Sequence, residues 1–112
     1  MSALVEATKE NFSELIAEGT VLLDVWGPSC QPCFALMPHV ERLAEADDDL
    51  TVIKLEAPKA RRLCMSMGLM TLPSFVMFHD GEEVARLSDP NLSADKLTAW
   101  VDQTLAEIRK EV

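Results

Sequence analysis

The sequence predicts an α/β protein, a three-layer sandwich with helices on both faces of a mixed central sheet. Three observations carry that expectation. Helical and strand patterns alternate from Thr8 to Phe78, the order expected of parallel strands joined by crossover helices. Val21-Leu22-Leu23-Asp24-Val25-Trp26 is a nearly unbroken apolar run, the pattern of a strand covered on both faces. Asp80-Gly81, between two strand patterns, is a hairpin signal that adds an antiparallel edge. The 112 residues suit one domain spanning 1–112, because two domains would each be too small to bury a sound core.

Residues 3–6 can add a short first strand. Thr8 is placed to cap a helix running to about Glu18, with Phe12, Leu15 and Ile16 inward and Gly19 as its stop. Glu10, Glu14 and Glu18 repel at four-residue spacing, so this helix depends on packing. After the apolar strand, Gly27-Pro28-Ser29 breaks the chain. A second helix then runs from Cys30 or Gln31 to about Ala46, with Pro38 removing one donor and kinking it. Asp47-Asp48-Asp49 is a solvated turn, and Thr51 to Glu56 a short strand. Pro58 suits the first position of a third helix, with Ala60, Leu63, Cys64 and Met67 inward and Gly68 as its end. Ser74 to Phe78 and Glu83 to Ser88 form the hairpin. Ser93 caps a last helix, in which Leu97, Trp100, Val101, Leu105 and Ile108 keep helical spacing and Arg109 and Lys110 suit the C-terminal end.

Composition excludes several function classes. Apolar residues make up 48% and charged residues 26%, the profile of a globular rather than a disordered chain. Ten basic residues against nineteen acidic ones leave a net charge of −9. That balance argues against nucleic acid, which needs a basic face, and against anionic membranes. No apolar run approaches the roughly 20 residues that span a bilayer. The first residues lack the basic start and apolar stretch of a secretory signal, so a cytoplasmic location is expected. The chain has no Gly-rich phosphate loop, and no cofactor is expected.

Cys30-Gln31-Pro32-Cys33 lies where a central strand hands over to a helix. One helical turn brings the two sulfurs together, so they can close a small disulfide ring with little backbone movement. Cys30, at the helix start, faces unpaired N–H groups and the positive end of the helix dipole, which favour its thiolate. Cys33, one turn inward, is shielded and suited to attack a mixed disulfide formed at Cys30. The same spacing is half of a zinc site. A metal would need two further ligands from Cys64, His39 and His79, none of which forms a second close pair. Asp24 is anomalous, since a mid-strand carboxylate in an apolar run is costly without a partner or a role. Cys64 fits a small buried hydrophobe. Lys59, Arg61 and Arg62 crowd a helix start, the unfavourable end for positive charge, and a solvated face is their default.

Asp24-Val25-Trp26-Gly27-Pro28-Ser29-Cys30-Gln31-Pro32-Cys33 resembles the active-site segment of the thioredoxin family, with its buried acid, tryptophan and Cys-Gly-Pro-Cys. Pro38 matches the family's helix proline, Leu72-Pro73-Ser74 its Ile-Pro-Thr with a cis proline, Lys54 a lysine near the buried acid, and Asp80-Gly81 its hairpin. The resemblance spans essentially the whole chain. It implies a thioredoxin-like sandwich and reduction of disulfides in protein partners. Cys30 attacks, Cys33 resolves, Asp24 relays a proton to or from Cys33, and Lys54 approaches Asp24. Trp26, Gln31, Pro32, Leu72 and Pro73 form the substrate-binding surface, with the Leu72 backbone free for an extended substrate. It also implies regeneration by a thioredoxin reductase drawing on NADPH or another donor. A monomer is expected.

Four positions depart from the family pattern. Ser29 stands in place of a tryptophan, Gln31 in place of glycine, Met70 near a usual arginine, and Pro90 near a groove glycine. The Gly-Pro-Ser-Cys-Gln-Pro-Cys form is similar to atypical members from anaerobic bacteria. All four fall on the expected rim of the site, whereas Asp24, Pro38 and Pro73 are expected to be buried. A shifted partner range and a dedicated reductase follow. Two other classes stay open: a non-catalytic binding module on the same fold, and a metal-binding protein.

Overall fold

The chain runs through strand β1 (Leu4–Ala7), helix α1 (Phe12–Ile16), strand β2 (Thr20–Trp26), helix α2 (Gln31–Ala46), strand β3 (Leu50–Glu56), helix α3 (Arg61–Ser66), strands β4 (Ser74–His79) and β5 (Glu82–Ser88), and helix α4 (Ala94–Lys110). These elements come from a computed structural model that describes residues 4–110. The expected first strand is present, although Ala3 lies outside the described residues. The strands form one mixed sheet in the order β1-β3-β2-β4-β5. β3 is parallel to β1 and β2, and β4 is antiparallel to β2 and β5.

Alternation along the strands divides the apolar side chains between two cores. Leu22, Val52, Phe75 and Met77 meet Leu36 and Val40 of α2 and Leu97 and Val101 of α4. Val21, Leu23, Val25, Ile53 and Val76 meet Phe12 of α1 and Cys64 of α3. β2 lies between β3 and β4 with both faces covered, which explains why its sequence is apolar throughout instead of alternating. The register sets Asp24 between Lys54 on β3 and Phe75 on β4. By strand parity Asp24 shares the face of Leu22, under α2.

The hairpin between β4 and β5 has Asp80 at φ 50° and Gly81 at φ 88°, the positive angles its two-residue turn requires. The Asp80 N–H donates to the Gly19 carbonyl and its Oδ1 accepts the Gly19 N–H, both at 2.9 Å, tying the hairpin to the loop before β2.

Three expectations are corrected. The first helix is shorter than the span from Thr8 to Glu18. Thr8 and Asn11 exchange reciprocal backbone–side-chain hydrogen bonds in a turn, and helix begins only at Phe12. So short a helix cannot stand alone; Phe12 holds it, buried edge-on against Phe78 with ring centroids 5.8 Å apart. The third helix does not start at Pro58. Residues Ala57–Lys59 form a 3-10 turn, the chain breaks at Ala60 (φ −141°, ψ 45°), and α3 starts at Arg61. Ala60 is buried, so the break turns its methyl into the core while the Ala60 carbonyl still accepts the Cys64 N–H. Pro38 is exposed, not buried: Cys33, Leu36, Val40 and Ala44 take the inward face of α2 and leave Pro38 outward.

Candidate active site

The site sits where β2 gives way to α2. Gly27, next after β2, is buried, and a Cβ there would come within 3.0 Å of Leu72 Cδ1, so glycine lets the segment before β4 close on this turn. The Cys30 N–H donates to the Gly27 carbonyl at 3.0 Å, completing the turn. Cys30 is then the N-cap of α2, in extended conformation, and its Sγ accepts the Cys33 N–H at 3.2 Å. A cap normally supplies an oxygen to this orphan donor; here a sulfur does so. Gln31 and Pro32 fill the first turn, exposed, where a proline forfeits no helical hydrogen bond.

Cys30 and Cys33 are joined by a disulfide, with Cα atoms 5.3 Å apart. Cys30 is half-buried, whereas Cys33 is 2% exposed. The two sulfurs therefore differ in exposure as the helix-start argument expects. His39 on α2 is bonded to Arg42, and His79 at the end of β4 is bonded to Thr20. Among the described residues, no three His, Cys, Asp or Glu side chains are grouped so as to hold a metal ion.

Asp24 is 1% exposed, and its Oδ1 has no hydrogen-bond partner among the described residues. Burial drives its pKa from the ordinary 3.8 up to about 7, against a smaller downward pull from the Lys54 charge. Lys54 is half-buried opposite Asp24 in the register, but no ion pair forms between them. Trp26 packs edge-on against Phe34, with centroids 5.8 Å apart, and its indole N–H is buried without a partner among the described residues.

The Leu72–Pro73 peptide bond is cis, as the resemblance implies. Pro73 is buried. Among the described residues, the backbone N–H and C=O of Leu72 have no hydrogen-bond partner. Leu72, Pro58 and Gly27 line a hollow of about 250 Å³ against Cys30. On the other side of α2's start, Pro32, His39, Pro90 and Leu92 line a second, wider hollow. Ser29, Gln31, Met70 and Pro90 are all exposed, so the departures from the family pattern do lie at the surface. Cys64 is buried on the opposite face of the sheet, and burial raises its thiol pKa.

Sequence inspection missed the part that Phe34 and Pro58 play at the site. Phe34 is 51% exposed yet supports Trp26. An aromatic directly after an inward-facing cysteine must point outward, and that signal was available. Pro58 lies in the 3-10 turn Ala57–Lys59 that follows β3 and lines the hollow at Cys30, a placement that no local pattern marks.

Comparisons with known proteins agree with this geometry. The thioredoxin family model matches residues 3–103. A thioredoxin of Acetoanaerobium sticklandii is 31% identical over 101 residues, covering 88% of this chain and 96% of that protein. A thioredoxin of Bacillus subtilis is 36% identical over 83 residues, covering 73% and 80%. Among solved structures, a mutant thioredoxin from Halobacterium salinarum superposes with a TM-score of 0.80 at 26% identity, covering 90% of this chain and 89% of that one. The strand-to-helix Cys-x-x-Cys, the buried acid beneath it and the cis Leu72–Pro73 bond thus occur in a chain that matches one family over nearly its full length, and the chain belongs to the thioredoxin family.

Proposed function

We propose that this thiol–disulfide oxidoreductase reduces disulfides in protein partners through a Cys30–Cys33 dithiol cycle. The observation that carries the assignment is the cap of α2: Cys30 Sγ accepts a backbone N–H at a helix start, and Cys33 is bonded to it from beneath. An N–H that the sulfur already accepts stabilises negative charge on it, and the helix dipole adds to that.

In the cycle, the Cys30 thiolate attacks one sulfur of the substrate disulfide. One S–S bond forms, one breaks, and the first substrate thiolate leaves. Cys33 then loses its proton and attacks Cys30 Sγ, expelling the second substrate thiolate. Two electrons pass to the substrate, and the protein ends as the Cys30–Cys33 disulfide. Asp24 takes the Cys33 proton. Its pKa of about 7 suits that role at neutral pH, because acceptor and donor forms are then both populated. Lys54 keeps part of the Asp24 population ionised by opposing the effect of burial.

Trp26, Gln31, Pro32, Leu72 and Pro73 form the surface that meets the substrate, and the unpaired Leu72 backbone is suited to an extended segment. The oxidised protein is returned to the dithiol by a thioredoxin reductase. The exposed departures Ser29, Gln31, Met70 and Pro90 favour a dedicated one. The protein acts as a monomer in a reducing compartment, needing no cofactor of its own. A metal-free redox role fits the side-chain grouping better than a zinc site.

The test is reduction of insulin disulfides by the chain, regenerated by a thioredoxin reductase. The native chain turns over and Cys30→Ser does not; turnover by Cys30→Ser would overturn the assignment. A generic reductase should reduce Ser29→Trp/Gln31→Gly about thirtyfold faster than the native chain, the scale of regaining one apolar hot spot of about 2 kcal/mol. Equal rates would remove the case for a dedicated partner.

A further inference from the structure

The basic cluster at residues 59–62 is a sequence feature that the redox mechanism leaves unused. Three of the chain's ten Lys and Arg residues fall within these four positions, on a molecule of net charge −9. They do not serve the fold. Lys59, itself exposed, lies 3.6 Å from the mostly buried Glu56 carboxylate, too long for a close ion pair. Arg61 and Arg62 are exposed and have no ion pair among the described residues. They also stand at the end of α3 where positive charge is unfavourable.

The structure sets Arg61 beside the redox site. Arg61, Met65, Leu69, Met70 and Leu72 line a hollow of about 280 Å³. Leu72 lines this hollow and also the one against Cys30, so the two adjoin at a single side chain. Met65 is 67% exposed and Met70 80%, more than any other large apolar side chain described. Methionine suits such a surface, because its unbranched, polarisable chain adapts to varied apolar partners.

We propose that this second hollow is a specificity subsite, taking a segment of the substrate protein with an apolar side chain followed by a carboxylate. The inference rests on the reductase function above. A segment whose disulfide reaches Cys30 would continue over Leu72, whose free backbone N–H and C=O can pair with extended chain. Its apolar side chain then lies among Leu72, Met65 and Met70, and its carboxylate meets Arg61. The net charge of −9 repels acidic segments generally, so a local basic patch decides which of them can dock.

The test uses two synthetic peptides, each with one intramolecular disulfide. They are identical except that an apolar residue beside the reacting cysteine is followed by Glu in one and Lys in the other. Initial rates are measured with the pre-reduced protein. The native chain should favour the Glu peptide by about threefold at low salt, the scale of an exposed charge pair, and the ratio should approach one at high salt. Arg61→Ala should bring the low-salt ratio to one or below, and Arg61→Glu should lower it further. A native ratio of one, or a ratio unchanged by both substitutions, overturns the subsite and leaves the reductase function standing. If dithiothreitol reduces both peptides and the protein reduces neither, the reductase function fails and the subsite with it.

Discussion

The two faces of the sheet each bury a cysteine, and the two cysteines could hardly be placed more differently. On the α2 side, Cys33 is 2% exposed, bonded to the N-cap residue of its helix, and belongs to the face that carries Asp24. On the α3 side, Cys64 is 5% exposed and packed among Val25, Leu55 and Leu69, and burial is the cause that raises its pKa. Burial alone makes a thiol inert, because the thiolate is the form that desolvation penalises. What separates the two is the company each keeps. One face accepts the cost of a buried carboxylate and of an indole N–H without a partner among the described residues; the other packs its sulfur in an apolar cluster, beside the hollow that Arg61 also lines.

The strongest test of that contrast exchanges each sulfur for oxygen. Cys33→Ser should abolish multiple turnover and accumulate covalent adducts between Cys30 and its partners, visible by mass spectrometry of acid-quenched samples. Cys64→Ser should leave the turnover rate within about twofold of native, in line with substitutions remote from the chemistry. Equal losses from the two variants would mean that burial, not placement, governs reactivity.

Asp24→Asn sharpens the comparison by making the α2 face more like the α3 face. The amide cannot accept the Cys33 proton, so resolution of the mixed disulfide should slow by about a hundredfold, the usual scale of a general base. Initial attack by Cys30 should change far less. Stopped-flow traces would separate the two phases, and an unchanged resolution rate across pH would exclude Asp24 as the proton acceptor.

The same substitution has a smaller effect on stability, with a defined pH dependence. The Asp24 pKa is higher in the folded protein, about 7, than the ordinary 3.8. Between these values the native state holds a proton that the unfolded chain has lost. The stability this confers is complete below about pH 4 and disappears as pH rises through about 7. Asp24→Asn should therefore flatten that decline. Above pH 7 it should stabilise the protein by about 2 kcal/mol, since removal of the buried charge outweighs the cost of a buried amide. Denaturant midpoints from pH 4 to pH 8 measure both; parallel curves for the two proteins would refute the burial argument.

The smallest effect belongs to the other face. Cys64→Ser places a hydroxyl among apolar side chains, and a loss of about 1 kcal/mol is expected. Cys64→Ala, which removes the sulfur without adding a polar group, distinguishes lost packing from added polarity. A shift of the Cys30–Cys33 potential in either variant would couple the two faces.

Much of this arrangement was legible in the residues themselves. Cys30-x-x-Cys33 after a strand, a lone Asp24 within an apolar run, and Asp80-Gly81 between strands each report local chemistry: a helix start, a costly charge, a turn with positive φ. Periodicity likewise assigned the four helices and the hairpin. Helix boundaries were less legible. The third helix starts only after the buried Ala60, whose backbone is not helical, and Thr8 with Asn11 closes a turn where a helix was expected. The outward direction of Pro38 was legible, since Cys33, Leu36, Val40 and Ala44 keep helical spacing on α2 itself and claim its inward side.

Local sequence, then, was enough for the fold class, the cysteine pair and the unequal exposure of its two sulfurs, because helix ends, strand alternation and turns depend on residues a few positions apart. The pKa of Asp24 and the placement of Leu72 between the hollow at Cys30 and the hollow at Arg61 belong to the tertiary structure. Desolvation and groove shape are set by what β3, β4, α2 and the 3-10 turn after β3 bring together from distant parts of the chain. Until those parts are packed, Asp24 is an ordinary exposed carboxylate and Arg61 is only a charge at the start of a short helix.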